Sequence, residues 1–272
     1  MKKFFTLVEI EFRNLLFILV GCFLAMTGIS TLLFFSGTAS VNREAQRIMT
    51  QGSMSVTEFT ASNGYFTLRA VSNYMLLYVI FILFFFMLIT AASFWIWQRE
   101  WAGKSKGIYF LLSLRAPRLR ILATKLLVTL VISWLFFGMV LINLAIGGLI
   151  MNIILGSALV DSNLISGFLQ NANWMLSLAL PSSFTHFIYH TLFTIAIFCA
   201  MTTWVLLAKS FKWSGGIIGF IYCFANLVIY IYIQTLWLFY DERIIIEWAF
   251  VLTSCVISFL LNWWLITKKI SV

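Results

Sequence analysis

Six stretches of this chain each run for about 20 residues or more without one Asp, Glu, Lys or Arg. They lie near residues 15–35, 73–97, 126–155, 184–208, 214–239 and 248–267. A hydrocarbon layer about 30 Å thick is crossed by about 20 apolar residues in a helix, so each stretch is long enough to span. The apolar runs are continuous rather than alternating, which excludes a closed transmembrane barrel. Only 10% of residues are charged and 62% are hydrophobic. A water-soluble surface needs far more charge than that, so lipid must be the solvent for most side chains. The expectation is an all-α membrane protein with six spans, organised as a single domain over residues 1–272.

The charges orient it. With the N-terminus inside, only Arg43, Arg47, Arg69 and Arg243 of the 18 basic residues fall outside. Of the acidic residues only Glu9, Glu11 and Glu100 fall inside. Basic residues accumulate on the cytoplasmic side, so both termini are expected there, in a multi-pass protein of the plasma membrane. The net charge of +9 is explained by this bias and needs no nucleic-acid partner. Glu9, Glu11 and Arg13 separate Met1 from the first apolar run, and that run exceeds the length of a signal-peptide core. The first span is therefore expected to be retained. Before it, Lys2, Thr6, Glu9 and Arg13 share one helical face, and Phe4, Leu7, Val8 and Phe12 share the opposite one. Residues 1–14 are expected as an amphipathic helix in the inner interface, or else as a solvated lead-in. Glu11 interrupts the apolar face and leaves room for a protein neighbour. Outside, residues 36–72 are polar, and residues 156–183 are semi-apolar with Trp174 and Pro181.

Little in the chain suggests chemistry of its own. Ionisable residues at span centres are costly and mark proton- or ion-coupled carriers, and these spans carry none. Ala102-Gly103-Lys104-Ser105 imitates the end of a phosphate loop, but Gln98 stands where that motif requires glycine. Cys22, Cys199, Cys223 and Cys255 are scattered through apolar runs and lack metal-site spacing. His186 and His190 are spaced i, i+4 and are weak candidates for a metal pair, without an acid or cysteine nearby to complete the shell. Gly215 and Gly219 stand in GxxxG register, which permits close helix approach either within the bundle or at a subunit interface.

The loop between the second and third spans, residues 98–125, is the most informative segment. Residues 107–115 read GIYFLLSLR. Ile108, Tyr109, Phe110, Leu111, Leu112 and Leu114 make an apolar run too short to cross and too apolar to lie bare in water. Pro117 is placed to open the next helix in its first turn. A short apolar helix is expected here, buried against lipid or in a protein groove.

The order Glu100, Gly103 or Gly107, Phe110-Leu111-Leu112-Ser113-Leu114, Pro117, Arg118 and Lys125 resembles the cytoplasmic loop of ABC-2 type transporter permeases. Arg115 before Ala116 departs from the more neutral approach to the proline that the family often has. The resemblance implies that Gly107–Leu114 is a coupling helix docked on a separate ATPase subunit. Glu100, Gly107, Ile108, Tyr109, Leu111, Leu112, Leu114, Pro117 and Arg118 would then contact that partner. It further implies that ATP and Mg are bound by the partner and that this chain needs no cofactor. A second permease copy, identical or not, would complete an exporter. Phe12-Arg13-Asn14-Leu15 does not match the N-terminal motif of polysaccharide exporters, and the aromatic, charge-free spans suit an amphipathic or hydrophobic peptide cargo. Two other classes remain open at this point: a non-transporting assembly or sensor subunit, and a metal-dependent intramembrane enzyme built on His186 and His190.

Overall fold

The computed structural model describes residues 2–68, 71, 76–102, 118–161, 183–236 and 239–269. Among them the chain is all helix: α1 (Lys2–Gly52), α2 (Val56–Asn63), α3 (Leu76–Ala102), α4 (Arg118–Leu155), α5 (Phe184–Thr235) and α6 (Tyr240–Trp264), ending in a π-turn at Leu265–Lys269. The one piece of β geometry among the described residues is an isolated parallel bridge between Phe66 and Val160. Five of these helices are long and apolar enough to cross a bilayer, and the protein is a multi-pass membrane protein. Their exposed faces are apolar, with Phe17, Leu24 and Leu32 on α1 and Ile153 on α4 left open. That is the arrangement lipid requires and water forbids.

Two boundaries depart from expectation. Residues 2–14 are not a separate helix but the first turns of α1, which runs unbroken for 51 residues. At 1.5 Å per residue α1 is about 76 Å long, so it projects well beyond a hydrocarbon core of about 30 Å. The expected loop 98–125 is also shorter. Helix α3 continues to Ala102, beyond the expected span end at Trp97, while α4 begins at Arg118, directly after Pro117, as the placement of that proline implies. Charge marked where the apolar runs stop, but helices do not stop at charges that find partners. The expected coupling segment Gly107–Leu114 lies outside the described residues.

Helix α5 spans 52 residues and contains a non-helical residue, Lys212, at φ 56°, ψ −130°, so it breaks between the expected stretches 184–208 and 214–239. These angles match the first central position of a type II′ turn, where glycine is the usual occupant. A lysine held there costs on the order of 1–3 kcal/mol. Residues 184–211 and 213–235 then fold back on each other. Tyr189 and Phe193 meet Tyr230, the Cys223 thiol donates to the Ala200 carbonyl at 3.4 Å, and Trp204 Nε1 donates to the Gly216 carbonyl at 3.0 Å. Partners approach the turn from both sides in step, as antiparallel helices require. A Cβ on Gly219 would stand 2.5 Å from Trp204 Cδ1, and one on Gly215 would collide with the Leu207 carbonyl. The small-residue face therefore closes this hairpin.

By its contacts the chain divides into two compact units. One comprises Met1–Phe17, Met87–Ser133 and Ile188–Val272, and the other Ile18–Phe86 and Trp134–Phe187. In the second, Gly147 lets α4 approach α1 so closely that a Cβ would lie 2.8 Å from the Phe34 ring. Phe85 packs with Phe136 and Phe137 at centroid distances of 5.3 and 5.7 Å. Helix α2 opens with a capping box: Ser55 N–H donates to Glu58 Oε2 at 2.7 Å, and Glu58 N–H donates to Ser55 Oγ at 3.3 Å. In the first unit, Trp97, Leu122, Phe198, Cys199, Val205, Leu206, Leu265 and Ile266 form one apolar core. Polar side chains within it are paired across helices, because the membrane interior offers no water to satisfy them. Thr203 Oγ1 donates to Asn262 Oδ1, and Asn262 Nδ2 donates to the Cys199 carbonyl, both at 2.9 Å. Tyr222 meets Ser258 at 2.6 Å, and Ser254 donates to Asn226 at 2.8 Å.

Candidate functional site

The most unusual chemistry lies where α1, α3 and α4 meet in the first unit. Glu11 is buried, its side chain 3% exposed, and it accepts from two cations. Arg99 Nη2 donates to Oε2 at 2.9 Å, and Lys125 Nζ donates to Oε1 at 3.0 Å. Lys125 is wholly buried; Nζ also donates to the Ile96 carbonyl at 3.1 Å and stands 4.8 Å above the Trp97 ring. Trp97 is held in turn by Nε1 donating to Thr202 Oγ1 on α5 at 3.0 Å. Arg99 is 30% exposed and forms the outer edge of the cluster.

The local sequence explains the placement. Glu11 shares a helical face with Leu7 and Val8 and is turned toward the bundle rather than toward solvent, which is why it breaks the amphipathic pattern of residues 2–13. Lys125 is in the third turn of α4, and its long stem lies among apolar neighbours before its ammonium reaches the carboxylate. A buried ammonium is tolerable only with a counterion and further acceptors, and here it has a carboxylate, a carbonyl and an aromatic face. The cluster carries two cations and one anion.

Its position matters more than its charge. Arg99 sits one turn before the end of α3, and Lys125 lies close after the start of α4. The two residues bracket the segment 103–117, and Glu11 grips both sides of that bracket from α1.

Of the residues expected to contact a partner, Gly107, Ile108, Tyr109, Leu111, Leu112, Leu114 and Pro117 lie outside the described residues. Glu100 falls in the last turn of α3 and Arg118 is the first residue of α4. His190 is completely buried, its ring 6.0 Å from that of Tyr189. His186 is half-buried at the start of α5, where its backbone N–H donates to Ser183 Oγ at 3.2 Å. Among the described residues no three His, Cys, Asp or Glu side chains gather as a metal site. All four cysteines are free thiols.

No family model, curated protein or solved structure matches this chain. The geometry therefore has to carry the functional reading. The sequence pattern reads Arg99 as an orientation charge and Lys125 as part of the loop resemblance, and it does not show the cluster. The available signal was Glu11, the lone acid on an apolar face, but its partners are 88 and 114 residues away in the chain.

Proposed function

We propose that this chain is the membrane-spanning permease subunit of an ATP-driven exporter of the ABC-2 type. In this reading a separate ATPase docks on the segment Gly107–Leu114, hydrolyses ATP with Mg, and moves two permease copies so that an amphipathic or hydrophobic peptide crosses the plasma membrane. The observation that carries the reading is the Glu11–Arg99–Lys125 cluster. It ties both roots of the 103–117 segment to the N-terminal helix, so a push on that segment reaches three helices as one body rather than bending a loop. In this reading the turn at Lys212 divides α5 into two crossings, so that six crossings bring both termini to the cytoplasmic side that the basic bias favours.

Purification from membranes tests the partnership: a soluble ATPase is expected to copurify in about equal amount. Replacing Leu111 and Leu112 by Asp is expected to leave the bundle folded but to abolish stimulation of ATP hydrolysis by cargo. Copurification of no ATPase from native membranes refutes the assignment. Full coupling in the double variant refutes the docking segment.

A further inference from the structure

The hairpin turn of α5 carries a second site. Trp204, Lys212, Trp213, Gly216, Ile217 and Phe220 line an open groove of about 470 Å³. Its walls are ring faces and aliphatic carbons. Trp204 spends its only N–H on the Gly216 carbonyl, so its ring presents an apolar wall, edge-on to Phe220 at 5.7 Å. Trp213 is 88% exposed at the mouth. Lys212 is exposed beside it and makes no ion pair among the described residues. No counterion comes from its own element, because α5 contains no Asp or Glu, and its only formal charges are Lys209 and Lys212. Indole rings and a lysine at the end of long apolar helices match the boundary between acyl chains and headgroups. The turn geometry sharpens the point. A glycine would relax the backbone at position 212, yet a lysine stands there, and the one property it adds is a cation at the lip of an apolar groove.

We infer that this groove binds one anionic phospholipid, with its phosphate against Lys212 and Trp213 and an acyl chain along Trp204, Ile217 and Phe220. The site needs only that the chain is membrane-embedded and does not depend on the exporter reading. A zwitterionic lipid offers the same chains but cancels the charge, and inorganic phosphate offers the charge without the chains. Lipid selectivity is therefore the readout.

The full-length protein in neutral detergent is titrated with short-chain phosphatidylglycerol, short-chain phosphatidylcholine and inorganic phosphate. Binding is followed by native mass spectrometry and by the emission lost in a Trp213→Phe variant. One phosphatidylglycerol per chain is expected, held about fivefold tighter than phosphatidylcholine, as for one lysine at a charged interface. Lys212→Gln is expected to erase that preference and Lys212→Arg to keep it. Lys212→Gly should also erase it while the protein melts no earlier than wild type, which separates lost binding from lost folding. Equal binding of the two lipids, a preference that survives in Lys212→Gln, or phosphate alone competing as well as the lipid would each overturn the site.

Discussion

Replacing Glu11 by Gln removes one negative charge and leaves Lys125 and Arg99 facing each other. Lys125 has no exposure, so its ammonium cannot reach water without moving α4. Breaking a buried pair by deleting one partner costs about 3–5 kcal/mol. The Ile96 carbonyl and the Trp97 face remain, and the glutamine oxygen still accepts one hydrogen bond, which argues for the lower end, about 3 kcal/mol. Lys125→Met is milder, because Glu11 keeps Arg99. Arg99→Gln is milder still, at about 1 kcal/mol or less, since Arg99 is 30% exposed and partly screened. The double variant Glu11→Gln/Lys125→Met removes both buried charges and is expected to recover most of the loss, as isosteric replacement of buried pairs often does. Thermal unfolding of the purified protein in detergent, followed by size-exclusion fluorescence, ranks the four variants. A Glu11→Gln variant no less stable than Arg99→Gln, or a double variant as damaged as the two singles added together, refutes the argument that Glu11 exists to neutralise Lys125. If the cluster also transmits motion, Glu11→Gln should lower cargo-stimulated ATP hydrolysis more than basal hydrolysis.

The other predictions rest on single sites. Gly215→Ala places a methyl against the Leu207 carbonyl and is expected to cost about 1–3 kcal/mol by overpacking. Gly216→Ala, whose nearest neighbour would be Ala208 Cβ at 3.9 Å, should be neutral or stabilising; the same melting assay separates the two, and equal effects refute the hairpin packing. Asn262→Leu removes both hydrogen bonds between α6 and α5 and leaves Thr203 Oγ1 and the Cys199 carbonyl only their bond to each other at 2.8 Å; it is expected to cost about 0.6–1.7 kcal/mol, the range for hydrogen bonds between membrane helices. The Ser55 amide and hydroxyl hold Glu58 below the usual carboxylate range. A depressed folded value means the carboxylate supports the cap above its unfolded pKa, and that support is lost as pH falls through the folded one. Amide exchange in α2 should therefore accelerate relative to the intrinsic rate as pH falls below the ordinary carboxylate range, and should do so less in Glu58→Gln; a pH-independent protection would refute the box.

The exporter reading and the lipid site make different demands on the molecule. The first concerns force entering at the 103–117 segment and passing through Glu11, Arg99 and Lys125. The second concerns the α5 turn, where an exposed cation stands over an apolar groove. Lys212→Gln tests one without touching the other.

The sequence alone determined that the protein lives in lipid, because about 20-residue runs without charge have no other stable environment. It also determined the approximate place of the apolar helices among the described residues and the turn between residues 208 and 214. Hydropathy is a local property, and local properties are legible along a chain. It ended α3 too early, since charge there was read as the end of the membrane rather than as a sign of pairing, whereas Pro117 marked the start of α4. Glu11 was legible as an anomaly but not as a ligand for Lys125. Only tertiary structure decides which residues 114 positions apart become neighbours, and only that neighbour makes a buried lysine affordable. The same holds for Lys212: the sequence shows a lysine in a turn, whereas the fold supplies its backbone angles and the aromatic walls beside it.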